Sequence, residues 1–150
     1  MSDQKITKTR QEVRLTLADG SDVAGEVFLS LYDVRGQKPQ RVGNLLNDSE
    51  DAFVPVKTAG GTVHINTANI VMAATPAVDE GDELMMLGKK YRVQVTTLHG
   101  KTVEGDIFVD LPQDRSRVSD YLNRPDRFYR LFVSEHIVYI GARFVISVRD

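Results

Sequence analysis

The chain has 150 residues, a formal charge of −2, a pI near 5.9 and no cysteine. The charge argues against a dedicated nucleic-acid binder, which is usually clearly basic. Without cysteine there is no disulfide, thiolate nucleophile or cysteine metal site. The polar start, MSDQKITKTRQE, lacks the apolar core of a secretory leader, and no apolar run approaches a membrane span, so a soluble cytoplasmic protein is expected.

Residues 1–11 carry no apolar periodicity and read as a flexible arm. From Val13 the pattern alternates: Val13, Leu15 and Leu17 share one side, Arg14, Thr16 and Ala18 the other. This is the period of a half-buried strand. Asp19-Gly20 then reads as a hairpin turn, because a tight turn of the I′ type needs positive φ at its centre. In the second strand Val23, Val27, Leu29 and Leu31 share a face with Gly25. A glycine inside a strand marks a bend or a close backbone approach. Phe28 falls on the opposite face, which implies either a strand that turns it inward or an apolar contact with a second unit.

Arg41–Asn47 reads as a short helical turn stopped by Asn47. A strand is expected at Ala52–Thr58, with Pro55 pointing to an edge or bulge. Gly60-Gly61 makes a turn. Ile65–Met72 then reads as strand, one 3₁₀ turn at Thr67-Ala68-Asn69, and strand. The stretch 76–90 is a linker in which acids precede and lysines follow Leu84-Met85-Met86-Leu87. A one-turn helix or a short strand suits it.

From residue 91 the pattern repeats. Val93–Leu111 matches Val13–Leu31 without a gap, through Val13/Val93, Thr16/Thr96, Gly20/Gly100, Val23/Val103, Gly25/Gly105, Phe28/Phe108 and Leu31/Leu111. Arg117–Asn123 matches Arg41–Asn47, and Phe132–Tyr139 is aligned with Ile65–Met72. A fixed-period repeat determines architecture before any local feature does. Two units are therefore expected, over 12–75 and 91–150, the second with an extra strand over 143–150. A unit of roughly 60 residues buries only about 60% of its unfolded surface, so the two should lean on each other or on a partner.

Strand, turn, glycine-bent strand, loop, strand, then strand–3₁₀–strand resembles the Sm/LSm-type small β-barrel. VRLTLADGSDVAGEVFLSL is similar to the first Sm motif and VHINTANIVMA to the second. The resemblance implies an all-β fold of two tandem five-stranded Sm-like or SH3-like barrels packed as a pseudo-dimer, with short helical turns. It also implies edge-strand association into rings or pseudo-dimers. The family's uridine site needs an Asp-x-φ-Asn loop and an Arg-Gly pair. Tyr32-Asp33-Val34-Arg35 lacks the asparagine, and neither Asn66-Thr67 nor Val133-Ser134 is an Arg-Gly pair, so no residue inherits that role.

No metal-ligand spacing, nucleophile motif or phosphate loop is present, and His64, His99 and His136 stand at turn or strand positions. A non-enzyme without cofactor or metal is expected. The repeated Arg41…Asn47 and Arg117…Asn123 element is the best site candidate. Its structural reading has the arginines bonding carbonyls or acids and the asparagines capping the turn; its functional reading is a pair of ligand grooves. The copies also differ in charge. Asp48, Glu50 and Asp51 make the first acidic, while Arg124 and Arg127 occupy the aligned region of the second, beside Arg117, Tyr121 and Tyr129. Arginine with tyrosine suits protein hot spots and single-stranded nucleic acid alike. A protein-interaction or self-assembly module is the leading expectation. RNA or single-stranded DNA binding through the second copy is the first alternative, and a small-ligand sensor with a site between the units is the second.

Overall fold

A computed structural model describes residues 8–31, 39–81 and 83–150. The Tyr32–Arg35 loop and the first seven residues of the expected arm lie outside that range. The described residues are mainly β: one open ten-stranded antiparallel sheet with short helices. No described helix is long and apolar enough to cross a membrane.

The strands are β1 (Lys8–Leu17), β2 (Asp22–Ser30), β3 (Phe53–Thr58), β4 (Gly61–Asn66), β5 (Ile70–Pro76), β6 (Lys89–Thr97), β7 (Thr102–Val109), β8 (Phe128–Val133), β9 (His136–Gly141) and β10 (Val145–Arg149). Helices α1 (Val42–Asp48) and α3 (Val118–Leu122) precede β3 and β8, and α2 (Ala77–Glu80) follows β5. β1 is regular from Lys8, so the last part of the expected arm pairs with β2.

The sheet order is β10-β6-β7-β8-β9-β5-β1-β2-β3-β4. The first half thus contributes β5-β1-β2-β3-β4, and the second the same series as β10-β6-β7-β8-β9. A seam of β5 against β9 joins them, with Met72 opposite Ile140 and Ala74 opposite Val138. Two closed barrels are not formed: among the described residues no pairing closes either half on itself.

The duplication holds down to register. Val13 faces Gly25 and Val93 faces Gly105. β1 meets β5 with a slip between Thr16 and Leu17, and β6 meets β10 with a slip at the equivalent place. β10 is therefore the counterpart of β5, and the expected extra strand has an equivalent after all. The alignment of Ser134-Glu135-His136 with the 3₁₀ turn is corrected by the same pairings. Val133 pairs with His136 across a two-residue turn, as Thr58 pairs with Gly61. The true equivalent of Thr67–Asn69 is the 3₁₀ turn Ala142–Phe144. From β3 onward the copies are therefore 75 positions apart, and Arg127 answers to Ala52, not to Asp51. The first half has one residue more than the second between the arginine before the helix and the third strand, Arg41 to Phe53 against Arg117 to Phe128.

Both internal glycines mark close approaches. A Cβ on Gly25 would collide with the Lys57 carbonyl, and one on Gly105 would lie 2.5 Å from the Phe132 carbonyl. The third strand of each half crosses its second strand there, so only hydrogen fits. The first hairpin differs from the expected I′ turn: only Gly20 has positive φ, with Leu17 N–H donating to the Ser21 carbonyl. β3 is not an edge strand, yet its ladder with β2 ends at Val56, so the N–H that Pro55 lacks is not missed there.

Each half has an apolar core. Val13, Leu15, Val27, Val42, Leu46 and Val56 build the first, and Val93, Val95, Ile107, Val118, Tyr121 and Leu131 the second. The first core also holds Phe128, Ile137 and Tyr139 from the second half. Met72 and Ala74 of the first half pack in return on the second core. Phe28 and Phe108 are half-buried, and Phe108 meets Phe132 edge-on at 5.2 Å.

Candidate interaction site

The Arg…Asn element forms the same local structure twice and then serves two purposes. Val42 and Leu46 are buried one turn apart on α1, as are Val118 and Tyr121 on α3. Before each helix the arginine N–H donates to the side chain three residues on, Asn44 or Asp120. The guanidinium of Arg41 donates to the Asp79 and Glu80 carbonyls. That of Arg117 grips Asp120 at 3.1 and 3.3 Å, and this ion pair holds the Asp120 carboxyl below its ordinary range.

The asparagines diverge. Asn123 ends α3, its amide donating to the Ser119 carbonyl. Asn47 ends nothing, since α1 continues to Asp48. Its Oδ1 instead accepts the Phe128 N–H across the seam at 2.8 Å. Next to it, Arg127 donates to the Ser49 carbonyl and to the Thr67 hydroxyl, both in the first half. The anchor beneath α1 is Glu80. Its buried carboxylate accepts from Val42 N–H, Gly43 N–H and the Tyr139 hydroxyl. Burial, reinforced by the Glu80 charge, raises the Tyr139 hydroxyl far above the ordinary tyrosine value.

The remaining candidates separate into two groups. Tyr121 exchanges hydrogen bonds with the Arg130 backbone, and Tyr129 donates to the Leu122 carbonyl, so both rings tie α3 to β8. Burial raises both hydroxyls. Arg124 pairs with Asp126 at 3.4 Å and lies over the Tyr121 ring. Asp48, Glu50 and Asp51 are exposed. A cleft of about 390 Å³ between the halves brings Arg41, Asn47 and Asp48 together with Tyr121, Arg124 and Arg130. Among the described residues no buried side-chain polar atom lacks a partner, and no group of acids and histidines is placed to hold a metal.

The ends of the sheet were not singled out from the sequence. β4 and β10 are its two edges. Three positions are buried near the seam while their counterparts are exposed toward the ends of the sheet. Val138 is 8% exposed and its counterpart Val63 43%; Phe128 is 5% and Phe53 54%; Val71 is 2% and Ile146 68%. β4, reading GTVHIN, has no proline or charge of the kind that blunts an edge against pairing. No family model, curated protein or solved structure matches this chain.

Proposed function

We propose that the chain is a non-catalytic assembly module of two Sm-like five-stranded units that engages protein partners by strand addition at the two ends of its sheet. The observation that carries this reading is the repeat itself. One β5-type strand and one β9-type strand are already joined at the seam, and a second strand of each type ends the sheet with apolar residues exposed. Strand addition obtains affinity from main-chain hydrogen bonds and specificity from alternate side chains. The Sm-like assignment is supported by the five-strand order of each half, the glycine-bent second strand and the 3₁₀ turn before the last strand.

The arginines favour this reading over nucleic-acid binding. Arg117 and Arg124 are paired with their own neighbouring acids and Arg127 is spent on the seam. The test is co-purification from the native cell, comparing the unaltered chain with His64→Pro and Val148→Pro. His64 faces Pro55 within the hairpin, where the antiparallel alternation turns the His64 N–H outward, so proline there blocks the edge and spares the β3–β4 ladder. Bound proteins should be lost from the variants; an unchanged bound set refutes strand addition.

A further inference from the structure

We propose that the partner at these edges is a second copy of this chain, with β10 of one copy laid antiparallel on β4 of the next in the register of the internal seam. This rests on the strand-addition reading above. Shifting the seam pairs by the repeat places Ser147 opposite Ile65, Val148 opposite His64 and Arg149 opposite Val63. Because the contact joins unlike edges, it is heterologous and continues until a ring closes or a filament grows.

Three side-chain relationships at the seam carry the inference, because each has a matched counterpart at the free ends. Asn47 accepts the Phe128 N–H across the seam. The equivalent pair between copies is Asn123 and Phe53, with both residue types kept, and Phe53 stands exposed where Phe128 is buried. Arg127 donates to Thr67. The equivalent pair is Ala52 and Ala142, so donor and acceptor are lost together and no orphaned group remains.

The third relationship is steric. Gly43 has no room for a Cβ, because one would lie 2.8 Å from the Tyr139 ring. Its counterpart is Ser119, and that of Tyr139 is His64. At the proposed joint the larger residue on the helix meets the smaller residue on the strand. A change on one side of a contact is matched by a change on the other, although the two positions lie in different halves of the chain. Two unrelated surfaces would have no reason to vary together in this way.

The chain has no cysteine, so an introduced pair can report the register directly. Arg149 and Val63 would form a pair without mutual hydrogen bonds, where Cα atoms approach to about 4.5 Å, within disulfide reach. The full-length double variant Val63→Cys with Arg149→Cys should yield covalent multimers on mild oxidation. Val63→Cys with Val148→Cys, whose side chains would lie on opposite faces, should yield few. Equal cross-linking of the two, or none in either, overturns the register.

Sedimentation velocity of the unaltered chain should show species above one chain that Phe53→Asp and Ile146→Asp each reduce to a monomer. An equimolar mixture of those two variants should recover a dimer, since each retains one intact and complementary edge. A chain that stays monomeric at the highest attainable concentration overturns self-pairing. Strand addition to other proteins would then still be decided by the proline variants.

Discussion

The Tyr139 hydroxyl donates to the Glu80 carboxylate at 2.7 Å, and both residues are buried. This bond runs from β9 of the second half to the linker helix α2, and Glu80 carries it on to the start of α1. Removing the hydroxyl with Tyr139→Phe should cost about 1–3 kcal/mol, the usual penalty when a buried polar group loses a partner. The folded-state pKa of Tyr139 is raised, so on going alkaline the unfolded chain releases this proton first. The stabilisation is complete below about pH 10 and declines above it. Urea midpoints between pH 8 and pH 11 should fall for the unaltered chain and fall less steeply for Tyr139→Phe. Parallel profiles would refute the assignment.

Gly25→Ala and Gly105→Ala should each destabilise the fold by about 1–3 kcal/mol, the range for overpacking. The obstacle is a backbone carbonyl in both cases, so no side chain can rotate away. Equilibrium urea unfolding checks this. A substitution without effect at either position would mean that the third strand does not cross there.

Asn47→Ala should cost about 1–3 kcal/mol by leaving the Phe128 N–H unmatched. Asn47→Asp keeps an acceptor oxygen and should recover most of the loss. Thermal melts of the three chains decide it. An alanine variant as stable as the parent would show that the bond contributes nothing to joining the halves.

Single-stranded RNA or DNA should not bind measurably at low salt, because Arg117 and Arg124 are each satisfied by an acid two or three residues on. Fluorescence anisotropy with mixed oligonucleotides tests this. Binding that weakens steeply with added salt would revive the nucleic-acid reading.

Repeat spacing and two-residue periodicity made most of the fold legible. They located the paired first strands, the bent second strands and the helical turns, because each leaves a local trace: Gly25 and Gly105, or Val42 with Leu46. The second motif is misplaced by eight residues, because the β8–β9 hairpin reads in sequence like the strand–3₁₀–strand stretch from β4 to β5. A slip by an even number of residues keeps each apolar side chain on its own face, so the alternating pattern does not reveal it. The seam was illegible for a different reason. Nothing near Glu80 shows that it lies beneath α1, and nothing near Asn47 shows that it reaches Phe128. Such contacts depend on where the chain returns, not on neighbouring residues. The edges leave no local trace either: Val63 and Val138 are the same residue at equivalent positions and differ only in exposure.

Phe128, Ile137 and Tyr139 lie in the interior of the opposite half, and Met72 and Ala74 repay the exchange. With residues exchanged in this way, neither half can be deleted without opening the other to water. The two halves therefore share one fate: each is the missing wall of the other, and they should melt together as a single cooperative unit.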